Sequence, residues 1–355
     1  MAKTKITPGF FAKLILLFSL FLIVAPSNAE NMKPVLILLS GHSELPWQNK
    51  IEQGIAEQKR FYAENSEELP TIYIESLDLF RNPPKQDDTR LDTISEKYKD
   101  IEFKLIITEG IAAARLVEKS TVFTQKPSSL SLPVINFNEI GIGRGHNVDF
   151  DTDYQNLATM IQYFMPDVES VVIMGNISLT QNAKIATSVS QLLDVKVTIW
   201  QDRIPLNDLN RRISKLSEKD AIIFAPYFSF DKDGKLVVPK LVLEELVDYS
   251  PAPIFTIYDS LFLPGVVGGY LRSGEELGKM LVKFAQSPTL SWSAKDFHYC
   301  GFDYSSLKRW NLDTKNLPES GRFRNQQAIN LFSRLAEWVS ETISQKKSPL
   351  DKVCN

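Results

Sequence analysis

Between Lys33 and about Asn138 the sequence alternates short apolar runs with amphipathic segments, and few folds accept that alternation. Four runs have the length and the Ile, Leu and Val content of strands: Val35 to Leu39, Thr71 to Glu75, Phe103 to Thr108 and Pro133 to Phe137. Between them Ile51, Ile55 and Tyr62 fall near helical spacing, and Gly110 eases the entry to a helix from Ile111 to Glu118. Strands that are apolar throughout are buried on both faces, so strict alternation with helices predicts a parallel sheet covered on both sides.

The rhythm restarts after Gly141-Ile-Gly-Arg-Gly145. Strands are predicted at Ser170 to Met174, Lys196 to Trp200, Ala221 to Ala225 and Pro253 to Tyr258. The helices between them fall at about Thr152 to Phe164, Thr180 to Leu193, Leu206 to Leu216 and Pro239 to Tyr249. This predicts an α/β protein of two lobes, each a parallel sheet flanked by helices. The expected division is a first lobe at 30–140 with a return segment at 262–290, a second lobe at 141–261, and a remainder at 291–355. Ordered crossings are expected near 139–148 and 258–265. Gly141, Gly143 and Gly145, beside Arg144 and His146, suit a hinge better than a phosphate loop, since their spacing is not the dinucleotide fingerprint. Residues 288–325 read as irregular. A final amphipathic helix, Gln326 to Ser344, puts Ile329, Phe332, Leu335, Ala336, Val339 and Ile343 on one side, a stripe that fits docking on its own lobe or on another protein.

The ends of the chain bear on location. Lys3, Lys5 and Lys13, an apolar run from Leu14 to Ala25, and small residues at Ser27 and Ala29 have the layout of a secretory signal peptide occupying residues 1–29. Its removal would take three lysines and no acid, moving the net charge from −3 to about −6, which offers nucleic acid no electrostatic attraction. Cys300 and Cys354 are the two cysteines; an oxidising compartment favours a disulfide between them, a pair of free thiols being the alternative. Neither has a spaced His or Cys partner of a zinc site, and no cofactor is expected.

Two apolar strands run straight into signatures: Ser40-Gly-His-Ser-Glu-Leu-Pro-Trp47, followed by Gly54-Ile55, and Gly265-Val-Val-Gly-Gly-Tyr270, which continues to Gly278. With Ile106-Ile-Thr-Glu-Gly110, Pro133-Val-Ile-Asn136 and Phe224 to Gly234, in this order and spacing, the chain resembles the type I periplasmic binding proteins. The likeness is to the branch of ABC-transporter substrate-binding proteins related to the extracytoplasmic sensor regions of histidine kinases and cyclases. Leu307-Lys-Arg-Trp310 with Asn316-Leu-Pro318 is similar to the segment that closes the sensor versions. The resemblance implies a non-enzymatic, periplasmic binder that closes on a small polar ligand. Its partner would be a membrane permease or, alternatively, a membrane sensor.

In such a two-lobed fold a ligand meets loops at the C-terminal ends of strands from both lobes. That rule selects Ser40, His42, Trp47, Thr108 and Glu109 from the first lobe, and Asn176, Tyr227, Phe228, Tyr258 and Asp259 from the second. Trp47 can stack on a ring or pack under the first helix. Glu109 and Asp259 can grip an ammonium group, or serve as a helix cap or interlobe salt bridge. Asn176 suits a helix cap, and Tyr227 and Phe228 suit either a cleft wall or packing beneath the turn Asp231-Lys-Asp-Gly234. These acids and aromatics lean towards an amino acid, an amine or an aromatic metabolite. A serine-hydrolase reading of Gly41-His-Ser43-Glu-Leu45 with Asp259 and His298 is disfavoured, because Leu45 replaces the last glycine of the nucleophile elbow. A surface scaffold that binds no ligand is the rival from another class.

Overall fold

A computed structural model describes residues 32–85, 88–120, 134–138, 143, 145–149, 152–176, 178–314, 317–318, 320–324 and 348–354. The expected signal peptide and the amphipathic stretch 326–344 lie outside these residues, as do Gly141 and Arg144. No helix among the described residues is long and apolar enough to cross a membrane.

The first sheet has the order β2-β1-β3-β4-β5, all parallel, from β1 (Val35–Leu39), β2 (Ile72–Ser76), β3 (Leu105–Glu109), β4 (Val134–Asn138) and β5 (His146–Asp149). Every residue of β1 is buried because alternate side chains feed two cores. Val35, Ile37 and Leu39 face the layer containing α1 (Pro46–Glu64), whereas Leu36 and Leu38 face the layer of α2 (Arg90–Lys97) and α3 (Ile111–Lys119).

The second sheet has the order β14-β13-β12-β11-β8-β6-β7. It is built from β6 (Ser170–Met174), β7 (Lys196–Trp200), β8 (Asp220–Phe224), β11 (Ile254–Thr256), β12 (Gly268–Arg272), β13 (His298–Asp303) and β14 (Arg322–Arg324), parallel except where β13 runs against β12. Helices α4 (Tyr154–Phe164) and α5 (Leu179–Leu193) pack together, as do α6 (Leu206–Ile213) and α7 (Pro239–Tyr249). A small hairpin, β9 (Ser229–Phe230) with β10 (Leu236–Val237), leads into α7.

After β12 the chain returns to the first lobe as α8 (Gly274–Gln286), which lies along α1. Glycines at both contact points let the backbones touch: a Cβ on Gly54 would stand 1.9 Å from the Glu275 carbonyl oxygen, and one on Gly278 would stand 2.0 Å from that of Ile51. Leu277, Leu281 and Phe284 of α8 and Phe297 beyond it complete the core over β1 and β4.

The expected lobe boundaries therefore need correction. β5 extends the first sheet past residue 141, and β12 belongs to the second sheet, so the return to the first lobe begins at Ser273 and not at 262. Gly145 is not a hinge: it turns the chain from β4 into β5, with φ +96° and no room for a Cβ, which would stand 2.2 Å from the Val134 carbonyl oxygen. The crossings fall between β5 and α4, where Thr152 and Asp153 lead into the helix, at 272–274, and at 297–298. The stretch 288–325 is also more regular than its sequence suggests, since it holds β13, the short helix α9 (Tyr304–Arg309) and β14. Cys300 of β13 and Cys354 of α10 (Asp351–Cys354) form a disulfide with Cα atoms 5.4 Å apart, and Leu350 and Val353 enter the second lobe's core beside it.

Candidate functional site

The C-terminal ends of β1 and β3 in one sheet, and of β6, β8 and β11 in the other, open onto one cleft of about 1060 Å³ between the lobes. Helices α1, α3, α5 and α7 all begin at it, directing the partial positive charge of four N-termini inward. Lys85, Arg115, Lys119 and Lys240 add to that charge, while Asp88, Asp92 and Glu109 oppose it. Asp88 is bound by Arg90, whose guanidinium holds the Asp88 carboxyl below its ordinary range.

Four of the ten selected residues line this cleft: Trp47, Glu109, Phe228 and Tyr258. Trp47 lies in the first turn of α1 and meets Tyr258 of the other lobe edge to face, with ring centroids 5.0 Å apart. Its indole Nε1 donates to Glu109 Oε1 at 3.2 Å, and the backbone N–H of Ser40 donates to Glu109 Oε2 at 3.3 Å, so a buried carboxylate at the end of β3 is held by two donors. Across the cleft the Tyr258 hydroxyl accepts from Arg272 Nη1 at 3.0 Å and Gln181 Nε2 at 3.1 Å. Phe228 is held through its backbone: its N–H donates to Asn176 Oδ1 at 2.9 Å, and Asn176 Nδ2 donates to its carbonyl at 2.8 Å.

The other six selected residues do not line the cleft. Ser40 is buried; its Oγ donates to the Glu109 carbonyl at 2.5 Å and accepts from the Ala113 N–H at 3.0 Å, closing the ends of β1 and β3. His42 is half-buried, and its Nδ1 accepts from the Glu44 N–H at 3.3 Å. Thr108 donates to Asn136 Oδ1 at 2.7 Å inside the sheet. Asn176 is the clamp on Phe228 and not a helix cap; Ser178 caps α5 by accepting from the Gln181 N–H. Tyr227 is fully buried and donates to the Asp202 carbonyl, because adjacent residues of an extended segment face opposite ways and Phe228 takes the cleft side.

Asp259 Oδ2 accepts from Ser273 Oγ at 3.3 Å, while Oδ1 is buried without a hydrogen-bond partner. Burial pushes its carboxyl up to about 6, partly offset by the Gly274 N–H and by the charge of Lys50. Ser273, and not Asp259, caps α8, its Oγ accepting from the Glu276 N–H at 3.2 Å, so Asp259 fills neither a helix cap nor a salt bridge and stands at a crossing between lobes. The hydrolase arrangement is not assembled, since His298 meets Thr152 Oγ1 through Nε2 at 3.1 Å and the Ala294 carbonyl through Nδ1 at 2.6 Å.

Residues the sequence reading did not select also belong to the site. Gln48, next to Trp47, is 1 % exposed; its Oε1 accepts from the Gly41 N–H at 3.0 Å, leaving a buried Nε2 at the cleft wall with no hydrogen-bond partner. Gln181 lines the wall beside Tyr258. A Gln in the first turn of the helix that follows a strand was the available signal for both. Together the rings, one bound carboxylate and inward-facing donors can enclose a flat apolar group while hydrogen-bonding polar atoms at its ends.

No protein-family model matches the sequence, and no curated protein matches it. Solved structures do. The ABC domain in complex with L-Trp from Streptococcus pneumonia superposes with a TM-score of 0.54 at 15 % identity, covering 81 % of this chain and 96 % of that one. A conserved domain protein from Vibrio cholerae gives 0.54 at 11 %, covering 81 % and 97 %. The ligand-free, open structure of a substrate binding protein with adhesive properties from Clostridium difficile gives 0.51 at 13 %, covering 82 % and 99 %. With the two lobes and three crossings described above, the fold is that of the type I periplasmic binding proteins, in agreement with the resemblance seen in the sequence.

Proposed function

We propose that this chain is an exported solute-binding protein that captures a small ligand in the interlobe cleft, performs no chemistry, and serves as the substrate-binding component of an ABC transporter. One observation carries the reading: Trp47 of the first lobe and Tyr258 of the second meet across a cleft that also presents Glu109, Gln48 and Gln181. Closure of the lobes on a ligand that touches both walls stabilises the closed form by the ligand's differential affinity for it, and the closed surface is what a membrane permease recognises. An aromatic metabolite, amine or amino acid suits walls of this kind, and the neighbour from Streptococcus pneumonia was solved in complex with L-Trp. Glu109 is the acceptor for an ammonium or ring N–H, exchanging its contact with the Trp47 indole for the ligand's.

The test is native mass spectrometry of residues 30–355 recovered gently from the periplasm, followed by denaturation and identification of what is released. A thermal-shift panel of amino acids, amines, sugars and nucleosides accompanies it. A stoichiometric small molecule, or a shift abolished by Trp47→Ala, supports the reading. An empty protein that responds to no member of the panel overturns it in favour of a scaffold without a ligand.

A further inference from the structure

Arg272 is the largest fully buried side chain of the described residues, and it stands where the lobes are joined. Burying a guanidinium completely is costly, and an apolar side chain would fill the same space without that cost. Its contacts explain its presence. Nη1 donates to the Tyr258 hydroxyl at 3.0 Å, and Nη2 donates to Thr152 Oγ1 at 3.1 Å. Thr152 Oγ1 in turn meets His298 Nε2 at 3.1 Å. Thr152 lies in the first crossing, Arg272 ends the strand that enters the second, and His298 begins the strand that leaves the third. The second and third crossings are also tied directly, the Ser273 N–H donating to the Phe297 carbonyl at 2.7 Å.

The same fork reaches the cleft. Tyr258, whose ring packs edge to face on Trp47, is held from behind by Arg272. Its backbone also bridges Arg272, whose N–H donates to the Ile257 carbonyl at 2.8 Å. We propose that Arg272 is a positioning residue that bolts the three interlobe crossings together and ties their relative angle to the orientation of Tyr258 at the cleft wall. A displacement of the Tyr258 hydroxyl moves one arm of a rigid planar fork whose other arm holds the first crossing, so a change at the wall becomes a change at the hinge. A lysine offers a single point charge that reaches one of the two hydroxyls at a time, so charge alone does not replace the fork. The inference rests on the closure reading for its purpose, but its geometry exists without a ligand.

The test uses the ligand-free chain, spin-labelled at the exposed positions of Lys59→Cys in the first lobe and Lys215→Cys in the second, with the interlobe distance distribution read by pulsed electron resonance. The expected result is a single narrow distribution for the parent protein and a broadened or displaced one for Arg272→Met. Arg272→Lys is expected to lie between them. Because Arg272→Met risks misfolding, Tyr258→Phe and Thr152→Val, which remove one hydroxyl each and preserve shape, are measured in parallel. Each is expected to broaden the distribution partway, and the pair together to reach but not exceed Arg272→Met, since one fork serves both. Distributions of folded Tyr258→Phe and Thr152→Val that superimpose on the parent would overturn the proposal. A parent that binds no ligand while these variants still broaden sinks the solute-binding reading and leaves the bolt standing; a parent that binds ligand while they do not broaden does the reverse.

Discussion

Trp47, Gln48 and Glu109 on the first lobe's side of the cleft are fastened by the groups that close the ends of β1 and β3, namely the backbone of Ser40 and Gly41. Phe228 and Tyr258 opposite them are fastened through side chains: Asn176 for one, and for the other Gln181, beside it in the wall, and Arg272 behind it. The first wall is therefore continuous with its sheet, and disturbing it disturbs the lobe. The second is carried on intermediaries, so it can be reset with the sheet intact. Under the proposed closure, the first wall would move with its lobe while the second could follow the hinge through Arg272.

The largest expected effect asks whether the lobes are independent in stability as well as in construction. The Cys300 to Cys354 bridge closes a loop with a sequence separation of 54, and its loss in Cys300→Ser/Cys354→Ser is expected to cost about 4 kcal/mol on loop-entropy grounds. Denaturation should show the fall, and hydrogen exchange should place it in β13 and the segment 348–354 while β1 keeps its protection. Equal loss of protection in β1 would mean that the lobes unfold as one.

Asp259 tests the junction between them. Its folded-state value of about 6 lies above the ordinary 3.8, so the native state holds this proton more tightly than the unfolded chain does. Stability from this group is greatest below about 4, declines as pH rises to about 6, and is flat above, a loss of up to about 3 kcal/mol. Asp259→Asn should remove that slope and be more stable than the parent at pH 7 in urea titrations compared at pH 4.5 and 7. Parallel pH profiles would show that the carboxylate is better solvated at the crossing than its burial implies.

Much of this arrangement was legible in advance, for physical reasons that vary by residue. β1, β6, β7 and α7 fall where the sequence reading placed them, because runs such as Val35 to Leu39 are apolar on both faces and bounded by turn residues. β13 was missed because His298-Tyr-Cys-Gly-Phe-Asp303 has no aliphatic run; it is a strand because β12 and β14 offer it backbone partners on both sides. Trp47, Glu109, Phe228 and Tyr258 could be selected from strand-end position alone. Tyr227 could not be told from Phe228, since nothing in two adjacent aromatics sets which one turns to the cleft. Arg272 and Gln181 were invisible because their role is defined by Tyr258, which lies 14 residues from the one and 77 from the other and meets them only in the fold. Asp259 was noticed, but its partner is Ser273 at the start of α8, across the crossing that follows β12, and the sequence reading had put that crossing before Gly268 and its strand.

On the first wall, Ser40→Ala strands the buried Ala113 N–H and takes one of two donors from the Glu109 carbonyl, which keeps the Ser40 N–H at 3.2 Å, at an expected cost of about 1–3 kcal/mol. The melting temperature should fall, with exchange protection lost across β1 and β3. Asn176→Ala is the matched change on the second wall and the smallest effect. It removes two part-buried hydrogen bonds to the backbone of Phe228, and about 1 kcal/mol is expected. The Phe228 amide should exchange faster while β6 and β8 keep their protection. If Asn176→Ala instead unprotects β6 and β8 as Ser40→Ala unprotects β1 and β3, the second wall is as integral to its sheet as the first, and Arg272 would be holding a lobe together, not setting its angle.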